Sequence, residues 1–139
     1  MSESLITAFA QFGAKPKNHL RGRSAIAEDG ALVLSCATPQ FRHAGPGVLR
    51  YEDALSRDSR DKPGSALLGQ HLVLARDGQL PIRMIVIAEA VAGKTRRNIY
   101  ARPDVIGKLI EFDGDHFIVD FKRLVVEMKQ PESGRKRRG

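Results

Sequence analysis

Cysteine and tryptophan are nearly missing from this chain. Its 139 residues hold one cysteine, Cys36, two tyrosines and no tryptophan. A single thiol excludes an internal disulfide and a multi-cysteine zinc site. A reducing cytoplasm is therefore the expected compartment. Long apolar runs are missing too, since none comes near the ~18 residues that span a bilayer. The opening MSESLITAFAQF is acidic, and its apolar part is too short for a signal peptide. No membrane partner is expected. The histidines, His19, His43, His71 and His116, show no HxH, HxxxH or HExxH spacing. They give no metal site, and no Ser/His/Asp arrangement can be deduced. No internal repeat is present.

What the chain does have is positive charge. The net charge is +7 and the pI about 10. Such a balance suits nucleic acid or another anionic partner. Arg135, Lys136, Arg137 and Arg138 form a basic end, which adds phosphate affinity that salt weakens steeply. Hydrophobic residues make up 42%, enough for a real core. The expected organisation is one α+β domain over 1–130, followed by a disordered basic tail, 131–139.

The most apolar stretch, Ile82 to Ala88, opens after Pro81 and is rich in β-branched residues. It reads as a central strand covered on both faces. Directly after it come Lys94, Arg96 and Arg97, a cationic loop. Ala88 to Thr95, AEAVAGKT, satisfies a loosened phosphate-loop pattern. However, it has only one of the usual glycines, and RRNIYARP does not continue as a helix. It reads as a chance match.

Around this strand the elements fall into place. Ser4 to Phe12 reads as a short helix capped by Ser2 or Ser4 and ended by Gly13. Lys15 to Arg23 is a basic loop carrying Lys15, Lys17, Arg21 and Arg23. Arg23–Glu28 and Ala31–Ala37 read as a hairpin across a type I′ Asp29-Gly30 turn. Thr38 to Pro63, with Arg42, His43 and Tyr51, reads as a long irregular segment, with a helical turn or two over Val48–Ser56. Ser65 to Arg76 is predicted as a helix capped by Ser65, with Gly78 at its C′ position. Val105–Phe112 and His116–Arg123 read as a second hairpin about Asp113-Gly114-Asp115. The expected fold is α+β, a mixed sheet of two hairpins and the central strand with one or two packed helices.

Two functional readings follow. In the first the domain binds DNA. Phosphate contacts come from Lys15, Lys17, Arg21, Arg23, Lys94, Arg96 and Arg97. Arg42, His43, Tyr51, Asn98 and Tyr100 stand nearest the bases, because arginine beside aromatics suits phosphate contact and stacking. This reading needs no cofactor. In the second, Pro103-Asp104 with Asp120-Phe121-Lys122 resembles the PD…(D/E)xK pattern of Mg²⁺-dependent nucleases. There two carboxylates hold the metal and the lysine activates water. Counting from Gly114 puts residue 124 opposite 104. The two carboxylates are then four residues apart along the strands, roughly 13 Å. A third class is a phage or plasmid protein that binds a host protein.

The order of these pieces carries a family likeness. The pieces are a DG hairpin, a polar stretch with Tyr51 and Ala54-Leu55, a helix ending ARDG, and RMIVIAEA before a basic loop. Over about Ser24 to Asp115 this resembles the N-terminal domain of McrA-type HNH restriction endonucleases. It is also similar to small uncharacterised bacterial proteins that share the ending GKLIEFDGD. The resemblance implies reading of modified cytosine in DNA, in a restriction or phage-defence setting. No HNH signature follows Asp115, so it implies a reader whose catalytic partner, if any, is a separate nuclease subunit.

Overall fold

The computed structural model describes residues 4–15, 23–57, 62–88 and 98–124. The central strand is where the composition puts it. Ile82–Ala88 (β5) lies third in a seven-stranded mixed sheet of order β1-β2-β5-β6-β7-β4-β3. The other strands are Ser24–Ile26 (β1), Leu32–Ala37 (β2), Phe41–Gly45 (β3), Val48–Ala54 (β4), Asn98–Phe112 (β6) and His116–Arg123 (β7). β5 pairs parallel with β2 and antiparallel with β6. Its side chains alternate between two cores, the reason for a continuous apolar run. Ile82, Met84 and Val86 enter the larger cluster, under helix α2 (Lys62–Gly78). Ile85 and Ile87 enter the smaller one, under helix α1 (Leu5–Ala10). The fold is the α+β class expected.

The sheet is strongly curled. Three strands separate β2 from β4, roughly 19 Å of width if flat. Yet the Tyr51 hydroxyl of β4 accepts the Ala37 N–H of β2 at 3.0 Å. The link from β2 to the far edge strand β3 is only the 3₁₀ turn Thr38–Gln40, too short to cross a flat sheet. Leu68, Leu72 and Ala75 of α2 fill the concave side and are all but fully buried.

Several local expectations change. Thr38–Pro63 is not irregular: most of it is the β3–β4 hairpin. Pro46-Gly47 makes its turn, with Gly47 at φ +74°, the pattern of a type II turn. Val48–Ser56 is strand rather than helix until the 3₁₀ turn Leu55–Arg57. The β1–β2 turn is a three-residue loop, not type I′, because Gly30 takes positive φ and Asp29 does not. Ser65 lies inside α2 and donates to the Leu55 carbonyl instead of capping. Gln79, at φ +52°, takes the C′ place given to Gly78, and the Leu80 N–H closes back onto the Ala75 carbonyl. β6 begins seven residues before Val105. It runs through Pro103, and at Gly107 it pairs with both β5 and β7. Ser4 does cap α1, accepting the Thr7 N–H.

Candidate nucleic-acid interface

Alternation along β4 puts Tyr51 and Asp53 on the inward face. The Asp53 carboxylate is 2% exposed and stands 3.6 Å from Arg23 and 2.6 Å from Arg57. Tyr51 donates its hydroxyl to it at 2.6 Å, and the Ala54 N–H donates at 2.7 Å. Arg23 also donates to the Leu55 and Ala54 carbonyls and to the Ser65 hydroxyl. Burial pushes the Tyr51 hydroxyl well above its ordinary pKa. It does the same to the Cys36 thiol, which bonds only weakly to the Leu34 carbonyl and behaves as a small core hydrophobe. This network ties the start of β1, the end of β2 and the end of β4 together where the sheet closes.

Two of the sequence-predicted contacts therefore change role. Tyr51 is fully buried between Phe41 and Phe117 and cannot stack on a base. Arg23 is 7% exposed and serves the Asp53 network, not a phosphate. Sequence reading missed Asp53 and Arg57, although two signals were present. Tyr-x-Asp is the spacing of one strand face, and Arg57 follows Asp53 by four residues.

The surface above this network gathers several of the other candidates. Ala37 pairs with Ile87, and Ala88 pairs with Asn98. The Arg23 carbonyl accepts the Ser35 N–H. Segment 16–22 thus enters β1, and segment 89–97 leaves β5 and enters β6, at one end of the sheet. The three attachment points lie within roughly 14 Å across the strands. Arg42 is exposed at this end, where it donates to the Pro39 and Phe41 carbonyls. Asn98 and His43 are exposed, while Tyr100 is half-buried against the core. Lys15 stands apart. It follows Gly13, whose carbonyl accepts the Glu28 N–H at the opposite end of β1. Lys17, Arg21, Lys94, Arg96 and Arg97 lie outside the described residues.

Charge is divided in the same way. The described residues hold twelve Lys and Arg against ten Asp and Glu. They account for two of the seven net positive charges. The other five belong to the remaining residues, which include segments 16–22 and 89–97 and the chain beyond Leu124. The open cleft over Asp53, about 440 Å³, carries both signs: Arg42 and Arg57 with Glu52 and Glu111. It does not select an anion.

The carboxylates of the nuclease pattern do not converge. The hairpin register is as counted, with Leu124 N–H donating to the Asp104 carbonyl. Asp120 lies opposite Lys108, four residues from Asp104 along the strands. Each carboxylate has its own arginine. Arg50 grips Asp120 at 2.8 and 3.0 Å, and Arg102 grips Asp104 at 2.8 Å through both oxygens. These bonds lower both carboxyl pKa values, that of Asp104 to about 2. Among the described residues no three His, Cys, Asp or Glu side chains are grouped to hold a metal.

The low Asp104 value gives a testable pH dependence. Its pKa is depressed in the folded state, so its stabilisation is complete above the unfolded value of ~3.9. It is lost as pH falls toward about 2. Arg102→Ala should therefore flatten the stability profile between about pH 4 and pH 2, as read by urea unfolding at stepped pH. Its effect at neutral pH should be small, because the pair is exposed to solvent.

These elements define an α+β domain with a curled mixed sheet whose described framework is close to neutral. No family model, curated protein or solved structure matches the chain. Among the described residues no helix is long and apolar enough to cross a membrane.

Proposed function

We propose that this domain binds double-stranded DNA through the sheet end where segments 16–22 and 89–97 attach. One observation carries the reading. Most of the chain's cationic surplus lies outside a near-neutral framework, and two of the segments that carry it attach at one end of the sheet. Lys94, Arg96 and Arg97 with Lys17 and Arg21 contact phosphates. Asn98, exposed where segment 89–97 enters β6, is the described residue that reads base edges. The family likeness adds modified cytosine as the base read, within restriction or phage defence. Cleavage, where it occurs, belongs to a separate subunit.

Arg96→Ala with Arg97→Ala should weaken binding to a 24-base-pair duplex. The slope of log K against log salt should fall by about 1.8, since each phosphate contact contributes ~0.9. Fluorescence anisotropy at several salt concentrations measures both. Unchanged affinity and slope would remove this loop from the interface. Repeating the titration on plain, methylated and hydroxymethylated duplexes, and on RNA, tests the base reading.

A further inference from the structure

The outer face of β3, β4 and β7, with β6 from Ile106 to Lys108, lies outside both buried clusters. On β7, buried Phe117, Val119 and Phe121 alternate with outward His116, Ile118, Asp120 and Lys122. The register aligns Arg42, Arg50, Asp120 and Lys108 in one row across four strands. Directly paired residues project from the same side of a sheet. The next row is Val48, Lys122 and Ile106. The two rows hold four cations and one carboxylate, and that carboxylate is already held by Arg50 at 2.8 Å. Arg42, Lys108 and Lys122 are exposed and form no ion pair among the described residues. Glu52 and Glu111, both paired with Ile118, bound the strip on its other side. β7 ends beside Lys122 at Arg123, and the chain beyond it carries Lys129, Arg135, Lys136, Arg137 and Arg138.

We infer that this strip is a second contact for the phosphate backbone of DNA, with Arg42, Lys108 and Lys122 as its anchors and Asp120 as a built-in brake. The inference rests on the DNA-binding reading and adds a surface to it. The row from Arg42 to Lys108 spans three strand gaps, roughly 14 Å, which covers successive phosphates along one strand. Asp120 withholds Arg50 by occupying both prongs of its guanidinium fork. Neutralising Asp120 releases that arginine to the backbone.

The test is Asp120→Asn, an uncommon case in which removing a surface charge should tighten binding. Affinity for a 24-base-pair duplex should rise about three- to tenfold at about 50 mM salt, and the salt slope should steepen by about 0.9. The triple variant Arg42→Ala, Lys108→Ala, Lys122→Ala should flatten the slope by about 2 to 3. Circular dichroism melts close to wild type confirm that each variant is folded. Should the wild type bind DNA while both variants keep its affinity and slope, the strip is not a contact. The loop reading would then survive on its own variant. Equal binding of poly-glutamate would overturn a phosphate ladder as the occupant. A wild type that binds no DNA removes both readings. The same Asp120→Asn protein answers the nuclease reading, which requires loss of Mg²⁺-dependent cleavage instead of gain of affinity.

Discussion

Asp53→Ala should cost about 3–5 kcal/mol of folding stability, the range for breaking a buried ion pair from one side. The carboxylate receives the Tyr51 hydroxyl, the Ala54 N–H and Arg57, and it faces Arg23. Its removal takes away the carboxylate that stands 3.6 Å from the Arg23 guanidinium, itself 8% exposed. Arg23 also donates to the Leu55 and Ala54 carbonyls and to the Ser65 hydroxyl, neutral groups that cannot replace a carboxylate. A loss of this size is a large share of the ~5–15 kcal/mol that holds a domain together. Urea unfolding should show a lower midpoint with an unchanged slope. Tyr51→Phe should cost less, about 1–3 kcal/mol, because it leaves the Ala37 N–H unsatisfied in the core. The two losses should not add, since both residues act in one network. An Asp53→Ala protein within about 1 kcal/mol of wild type would mean that packing alone closes the sheet.

That network also shows how far the sequence can be read. β5 was legible because its burial is two-sided, which leaves little room for polar side chains along the run. The β6–β7 hairpin was legible from Asp-Gly-Asp and alternation on both flanks, and Leu124 stands opposite Asp104 as counted. The β3–β4 hairpin was not. Its edge strand FRHAG is exposed over four of its five residues, so it lacks the apolar alternation that marks a strand. Pro and Gly there read as irregular chain but make one tight turn. The candidate site residues divide along the same line. Arg42, His43 and Asn98 are exposed, as a local charge pattern suggests. Tyr51 and Arg23 are buried because the sheet curls, which joins strands that are distant in the sheet order. No local pattern encodes that curl. It depends on the helix that fills the concave face and on how β6 changes partners.

Gly107 is where that change of partners is tightest, and Gly107→Ala should be destabilising although alanine usually stabilises a glycine position. The residue pairs with Ile82 on one side and with Phe121 on the other. A Cβ there would stand 2.6 Å from Phe121 Cε1, 2.7 Å from its Cδ1 and 3.0 Å from Val119 Cγ1. Contacts under 3.0 Å are not tolerated by real Cβ atoms, so a neighbour has to move. Phe121 is 1% exposed and Val119 fully buried, so neither has free space to move into. Overpacking of this kind costs about 1–3 kcal/mol, more than the ~0.4–1 kcal/mol gained from a stiffer unfolded chain. Val should cost more than Ala at the same position. Phe121→Leu trims the atoms that clash, so Gly107→Ala should be milder in that background than in wild type. A double-mutant cycle by urea unfolding measures the difference. The effect reaches the surface as well, because Lys108 is the next residue and its place in the outer row depends on how β6 lies between β5 and β7. A neutral Gly107→Ala would show that the Phe121 ring can step aside, and that the partner change tolerates a side chain.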